Sequence, residues 1–157
     1  MKKAFTMIEL IFVIVILGIL AAVAIPKLNA TRDDAELVKG ASDFATAISD
    51  IASYYTANGK FANKIQDMTN VVLQPHIYGN KSSAHIYLKK LNCVTINADT
   101  NGSDIKIFAS PDYNKGICVN FFTNSSVSQI MGGSDIKNHL RELDAYKISL
   151  GAGNVSF

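Results

Sequence analysis

Residues 5–26 read FTMIELIFVIVILGILAAVAIP, an apolar run that follows the short basic leader MKKA and contains a single acid, Glu9. Phe5 to Ile25 can cross a bilayer as a helix, because a transmembrane helix needs about 20 residues. The two leader lysines, with no acid beside them, favour a cytoplasmic N-terminus. The chain after Pro26 is therefore expected on the far side of the membrane.

Glu9 lies near one end of the apolar run, where a carboxylate is costly. A charge at the centre of a membrane helix costs about 2.5–3.5 kcal/mol on insertion scales, and less toward an end. Cleavage after Ala4 would leave a free ammonium on Phe5, and a neighbouring helix shifted along its axis could offer that amine to Glu9. Each subunit would then carry one acid and one amine that another subunit satisfies, and such head-to-tail contacts build an open helical filament.

The segment resembles the N-terminal signal of type IV prepilins and type II secretion pseudopilins. The shared features are a short basic leader, a small residue before the cut, the residues from Phe5 to Leu10 and a long apolar helix. The resemblance implies that a prepilin peptidase cuts between Ala4 and Phe5 and N-methylates Phe5, and that Glu9 directs docking into the filament. Ala4 stands where the family usually has glycine, and alanine is also small.

Two other interpretations of the apolar run stay open. A secretory signal peptide also combines a basic region, an apolar core and a small-x-small cleavage site, here AVA at residues 22–24, and would release a soluble chain starting at Ile25. An uncleaved membrane anchor would keep Met1. Neither alternative gives Glu9 a role, and the mature N-terminus distinguishes all three.

Gly18 lies inside the apolar helix and Pro26 at its end, and both residue types disfavour a regular helix. Pro26 lacks a backbone donor and its ring crowds the carbonyl of Ala22, so a kink is expected. In the filaments that the chain resembles, the matching glycine-to-proline stretch tends to lose helix, which implies local melting from Gly18 to Pro26. A proline that merely bends a membrane helix explains the same residues.

Charge and length limit the classes of function. The chain has 15 Lys and Arg against 13 Asp and Glu, and loss of the two leader lysines leaves 13 of each. A neutral mature chain argues against a broad nucleic-acid surface, which depends on an excess of basic residues. The residues after the apolar run are enough for one modest domain.

The two cysteines, Cys93 and Cys118, both lie on the side predicted to be extracytoplasmic, where a disulfide can form. The closed loop of about 26 residues corresponds to roughly 3.5 kcal/mol of stability in the chain-entropy estimate. Two buried thiols are the alternative. In either case the pair is structural, because no CxxC or Cys/His spacing indicates redox or zinc chemistry.

From Lys27 the helix is predicted to continue with an amphipathic character and to stop at Asn58-Gly59. Apolar residues recur at spacings of three and four along one stripe. These residues are Leu37, Ala41, Phe44, Ile48, Ile51 and Tyr55. The opposite face carries Lys39, Asp43, Ser49 and Ser53.

The rest of the chain is predicted to be rich in strands. NCVTINA, DIKIFAS and GICVNFF read as strands, with a hairpin turn at Asn101-Gly102 between the first two, and YKISL as a last strand. Cys93 and Cys118 would then staple one sheet. Gln66–Leu73 is predicted as a short helix, and Ser134 as the cap of a helical turn that reaches Leu143.

Together these patterns predict an α+β fold, in which a long N-terminal helix packs on a small antiparallel sheet, as in pilins. The predicted division is a leader over residues 1–4, a transmembrane or filament-core helix over 5–25, an amphipathic continuation over 26–58 and a periplasmic globular domain over 59–157.

Candidate chemical sites are weak. Asp99 to Ser103 begins like a calcium loop, but its sixth position is Asp104 rather than glycine and its twelfth is Ser110 rather than glutamate, so a solvated hairpin turn is favoured. No catalytic motif is found, and neither a metal site nor a cofactor site is predicted. The histidines, isolated in the sequence and interpreted as surface or partly packed side chains, are His76, His85 and His139.

The sequence therefore predicts a structural subunit of a type II secretion pseudopilus or type IV pilus-like filament, not an enzyme. By the resemblance, its partners are copies of itself, other pilin-like subunits, prepilin peptidase and an inner-membrane assembly platform. Its location is the bacterial inner membrane, with a cytoplasmic N-terminus and a periplasmic C-terminal domain, and a filament after assembly. The competing functions are a DNA-binding competence pilin and a soluble periplasmic protein.

Overall fold

The computed structural model describes residues 6–78 and 81–151, in which a long helix is followed by a five-stranded antiparallel sheet. This is the α+β, pilin-like class that the sequence predicts. The chain divides into two compact units, one up to Ala35 and the other from Glu36. Ala4 and Phe5, which form the predicted cleavage site, lie outside the described residues.

Helix α1 spans Met7–Asn58. Its first part, Met7–Ile25, is the one helix in the described ranges that is long and apolar enough to cross a membrane, by length and composition. The large apolar side chains of this part are exposed, as Phe12 is at 67%. A helix that is apolar all round suits lipid or other helices as neighbours rather than water.

Helix α1 continues through Gly18 and Pro26 without a break. Pro26 still provides no N–H for the carbonyl of Ala22, so the ladder of hydrogen bonds is one bond short at this point. The predicted loss of helix concerns the packed filament, and it stays a prediction.

The second part of α1 carries the apolar stripe that the sequence predicts. Every residue of the stripe is buried or half-buried, whereas Lys39 on the opposite face is exposed and pairs with Asp43 at 2.9 Å. The helix ends as predicted, because Gly59 adopts a φ of +70° and its N–H donates to the carbonyl of Tyr55 at 2.7 Å. The stripe is the helical wall of the core.

The sheet is a meander in which each strand pairs with the next one along the chain. Its strands are β1 Gln74–Tyr78, β2 Lys81–Leu88, β3 Leu91–Asp99, β4 Asp104–Ala109 and β5 Tyr146–Ser149. The last three and the turn between β3 and β4 are confirmed predictions. In that turn the N–H of Gly102 donates to the carbonyl of Asp99 at 2.8 Å.

The hairpin of β1 and β2 was not predicted. The turn from β2 to β3 is formed by Lys89 and Lys90, both with positive φ, at 49° and 68°. Two-residue hairpin turns of this kind usually carry asparagine or glycine, so lysines give no signal in the sequence. The carboxylate of Glu36 accepts the N–H of Lys89, which ties the turn to α1.

One hydrophobic core joins the second part of α1 to one face of the sheet. Alternate residues of β4, namely Ile105, Ile107 and Ala109, point into this core. Ala84 and Ile86 do the same from β2. The side chains of Ser83 and His85 in β2 therefore lie on the other face of the sheet, away from this core.

The segment GICVNFF, predicted as a strand, is helix α2, Ile117–Thr123. The prediction is wrong because its buried residues follow a helical spacing, with Ile117, Cys118 and Phe121 on one side. The ring of Phe121 packs edge-on against Phe44 of α1, at a centroid distance of 5.7 Å. The disulfide therefore joins a strand to a helix and does not staple two strands.

The remaining predictions for short segments are partly wrong. Helix α3, Ser125–Ile130, was not predicted. Asp135, rather than Ser134, caps the next turn, because its carboxylate accepts the N–H of Lys137 at 3.0 Å. The predicted helix over Gln66–Leu73 is reduced to a single 3₁₀ turn, Ile65–Asp67. Two further 3₁₀ turns follow α3, at Ile136–Asn138 and Glu142–Asp144.

Candidate functional site

Thr6 and Glu9 form a reciprocal set of hydrogen bonds at the N-terminus of α1. The N–H and the hydroxyl of Thr6 donate to Oε2 of Glu9 at 2.9 and 2.7 Å, and the N–H of Glu9 donates to the Thr6 hydroxyl at 3.3 Å. This arrangement is a capping box, in which a threonine and a glutamate three residues later satisfy the first free N–H groups of a helix. Glu9 therefore has a local role in starting the helix.

Thr6 was given no role in the sequence analysis, although the sequence contains a pattern that indicates one. Threonine, two intervening residues and glutamate before an apolar run are a known helix-start pattern. Only an amine was expected from the sequence as the partner of Glu9, and the capping box adds the two donors of Thr6. In the part of the chain that the structure describes, Oε2 takes both donors and Oε1 accepts no hydrogen bond.

Oε1 is thus the oxygen that remains for a partner from outside the subunit. The other half of the predicted pair, the amine of Phe5, lies outside the described residues, as does Ala4. The cleavage site, the methylation of Phe5 and the contact between Phe5 and Glu9 stay predictions. What the structure adds is that a capped helix start holds the carboxylate one turn inside the apolar segment.

Cys93 and Cys118 form the predicted disulfide, with Cα atoms 5.2 Å apart. Both residues are fully buried. The bond connects β3 to α2. Close to it, the carboxylate of Asp112 accepts two hydrogen bonds, one from the N–H of Asn92 at 3.1 Å and one from the ammonium of Lys115 at 2.7 Å. These two bonds hold the pKa of Asp112 below its usual value, with the lysine as the larger cause.

The acids of the stretch that resembles a calcium loop are engaged in the fold. The carboxylate of Asp99 accepts the N–H of Asn101 at 3.1 Å within the hairpin turn. Asp104 accepts the hydroxyl of Ser149 at 2.7 Å, across the pairing of β4 with β5. The stretch is built as a turn between strands.

Two of the three histidines, isolated in the sequence, meet in the fold. The rings of His76 and His85 have centroids 4.6 Å apart on neighbouring strands. Burial lowers the pKa of His85, and the charge of His76 lowers it further. His139 lies apart, and its Nδ1 donates to the carbonyl oxygen of Asp144 at 2.6 Å. Within residues 6–78 and 81–151, no group of three or more His, Cys, Asp or Glu side chains is placed to hold a metal ion.

Comparison with known proteins points to one family. The model of the prokaryotic N-terminal methylation motif matches residues 1–25. The chain is 30% identical over 76 residues to the type II secretion system core protein G of Pectobacterium carotovorum, an alignment that covers 48% of this chain and 49% of that protein. It is 31% identical over 74 residues to the protein of the same name from Dickeya chrysanthemi, which covers 47% and 48%.

A longer and weaker match is found with the type II secretion system core protein G of Escherichia coli K12. It is 25% identical over 124 residues and covers 73% of this chain and 86% of that protein. The chain thus spans about half the length of the relatives that it matches at 30% identity or more. No solved structure matches. The N-terminal motif, the apolar helix and the α+β fold thus agree with one another, and the chain is similar to proteins of the type II secretion pseudopilin family.

Proposed function

We propose that the protein is a structural subunit of a type II secretion pseudopilus or a related type IV pilus-like filament. The observation that carries this proposal is the N-terminus of α1, where a capped first turn holds Glu9 at the start of a long apolar helix. The relatives that the chain resembles carry the name of a type II secretion core protein. A filament subunit uses both the apolar helix, which packs in the filament, and Glu9, which pairs with a neighbouring subunit.

Before assembly the subunit is anchored in the inner membrane by the apolar part of α1. The leader lysines keep the N-terminus in the cytoplasm, so the unit that begins at Glu36 lies in the periplasm. The disulfide between Cys93 and Cys118 agrees with this location, because the periplasm is oxidising.

Processing by a prepilin peptidase converts the anchored subunit into one that can polymerise. Cleavage after Ala4 creates the amine of Phe5, and the amine pairs with Oε1 of Glu9 in an adjoining subunit. The capping box keeps Oε2 occupied by donors of its own chain, so that the carboxylate bridges two subunits. Pairing in a dry environment is strong, because water does not compete for the charges.

The role is mechanical and not enzymatic. The apolar helices pack side by side in the filament. The unit that begins at Glu36, called the sheet unit below, provides the outward surface that contacts other pilin-like subunits and the assembly platform. Such head-to-tail contacts do not close on themselves and therefore extend.

The proposal is tested by expressing the full chain with a complete pseudopilus machinery and shearing filaments from the cells. The protein should appear in the sheared fraction with a mature N-terminus at methylated Phe5, as determined by mass spectrometry. A mature N-terminus at Ile25, or an intact Met1 with the protein confined to the membrane, contradicts the proposal.

A further inference from the structure

A pocket of about 290 Å³, lined mainly by residues with polar side chains, lies on the face of the sheet that points away from the core. Strand register places its residues side by side, since His76 is opposite Ser83, Ser83 opposite Asn97, and His85 opposite Thr95. Ser83, Thr95 and Asn97 are each no more than 5% exposed. Buried polar side chains gathered around a cavity are unusual on the outer face of a sheet, because each needs a hydrogen-bond partner.

We propose that His76, His85 and the side-chain oxygen of Asn97 bind a divalent late transition-metal ion of the zinc, nickel and copper class. This site goes beyond the proposed filament role and does not depend on it. It contains two imidazoles and an amide oxygen, and water completes the coordination.

The spacing of the two rings suits a shared ion. An imidazole nitrogen binds zinc at about 2.0–2.1 Å, so two rings on one ion have centroids about 4.5–5.2 Å apart for angles between square and tetrahedral. The centroids of His76 and His85 are 4.6 Å apart and the rings are tilted by 52°. Stacked rings in plane-to-plane contact would instead lie parallel.

His85 is oriented by a hydrogen-bond chain of the kind that supports metal ligands. Its Nδ1 bonds to the hydroxyl of Thr95 at 2.9 Å, and that hydroxyl bonds to the hydroxyl of Ser110 at 2.7 Å. A ligating histidine usually bonds through its other ring nitrogen, which fixes the ring and the tautomer. The chain leaves Nε2 of His85 as the nitrogen for an ion.

Asn97 supplies the independent observation. It is 2% exposed and lines the pocket, and its Oδ1 has no hydrogen-bond partner within the described part of the chain. A buried amide oxygen without a donor loses about 1–3 kcal/mol relative to a satisfied one. A bound cation would satisfy it.

Glu142 reaches the same pocket and adds negative charge near the site. Its carboxylate lies 3.6 Å from the ammonium of Lys106, so it is shared with that lysine. Phe108 forms an apolar wall of the pocket. Imidazole ligands select zinc, nickel and copper over magnesium and calcium, which prefer sites built from oxygen alone.

The test uses the full chain in detergent, purified without a histidine tag and titrated with zinc chloride by calorimetry. The wild type should bind one ion per chain. His76→Gln and His85→Gln should each weaken zinc binding by about tenfold or more, because each removes a ligand. His139→Gln, which changes the histidine outside the pocket, is the matched control and should bind like the wild type.

Thermal unfolding provides a second measurement, since an ion that binds only the folded state raises its melting temperature. Zinc should raise the melting temperature of the wild type and of His139→Gln by the same amount, and that of His76→Gln by clearly less at the same zinc concentration. If His85→Gln does not fold, His76→Gln decides, because His76 is only half-buried. Absence of one-to-one binding by the wild type, or unchanged binding by His76→Gln, overturns the proposal.

Discussion

Thr6 and Glu9 hold each other at the first turn of α1, with the Thr6 hydroxyl 2.7 Å from one carboxylate oxygen of Glu9. The glutamate thus has two roles at one position. It caps the helix within its own chain, and its second oxygen is directed to a neighbouring subunit in the proposed filament. A short carboxylate or an uncharged amide at this position would keep only part of either role.

Thr6→Val should loosen the first turn of α1, because valine has the shape of threonine but no hydroxyl. Loss of an N-cap costs about 0.5–2 kcal/mol of helix stability. Hydrogen exchange measured by mass spectrometry on the full chain in detergent should show faster exchange over Met7 to Leu10. Thr6→Ser keeps the hydroxyl and should exchange like the wild type, and equal protection in the valine variant would refute the capping role.

Removal of the disulfide by Cys93→Ser together with Cys118→Ser should lower the free energy of unfolding by about 3–4 kcal/mol, because the unfolded chain is then no longer restricted by the link between β3 and α2. Urea unfolding followed by circular dichroism measures the change. The wild type treated with reductant is the matched control, and it too should unfold at a lower urea concentration than the oxidised wild type. An unchanged midpoint would show that the link adds no stability.

Asp112 should make the stability of the sheet unit sensitive to acid. Its pKa is lowered in the folded state, so the folded form binds its proton less readily than the unfolded form does. The stabilisation is complete above the unfolded pKa of about 3.9 and is lost as the pH falls through that value toward the lower folded pKa.

Asp112→Asn should therefore lose stability at pH 7 and depend less on pH between about 5 and 3 than the wild type does. Urea midpoints at a series of pH values measure this. Asp67→Asn, a change at an exposed acid of the same unit, is the matched control. A parallel profile for Asp112→Asn would contradict the assigned bonds to Lys115 and Asn92.

Gly40→Ala should destabilise the contact between α1 and the sheet. A methyl group at Gly40 would meet the side chain of Leu88, which is 2% exposed and cannot move into water. Overpacking typically costs about 1–3 kcal/mol, more than the roughly 0.5–1 kcal/mol that alanine gains over glycine in a helix. The change is measured by urea unfolding.

Leu88→Ala in the same chain makes room for the added methyl group. Gly40→Ala should therefore be less harmful in the Leu88→Ala background than in the wild type, which a double-mutant cycle detects. Equal costs in the two backgrounds would place the strain elsewhere.

Local patterns in the sequence predict the parts of the fold that depend on a single periodicity. The stripe from Leu37 to Tyr55 and the strands β3 to β5 have such a pattern, and the hairpin at Asn101-Gly102 has the expected turn residues. The turn at Lys89 and Lys90 lacks the expected turn residues. It is held by the carboxylate of Glu36, which is distant in the sequence and accepts the N–H of Lys89.

Contacts between distant segments account for the remaining errors. The residues of α2 have high strand propensity, but the disulfide and the ring of Phe44 favour a helix there. The histidine pair is hidden for the same reason, because only the pairing of β1 with β2 brings His76 to His85. The capping box differs from these cases, because Thr6 and Glu9 are only three residues apart in the sequence and form a recognisable pattern.

The most direct measurement of the central claim is the amount of Glu9→Gln protein in sheared filaments, relative to wild type expressed at the same level. Glutamine keeps the size of the side chain but has no charge to pair with the amine of Phe5. Membrane insertion and leader cleavage should be normal, and incorporation should fall by about tenfold or more, because removal of one partner of a buried ion pair costs several kcal/mol. Asp34→Asn, a change at an exposed acid beyond the apolar segment, should assemble normally. Filaments that contain Glu9→Gln at the wild-type level would contradict the account.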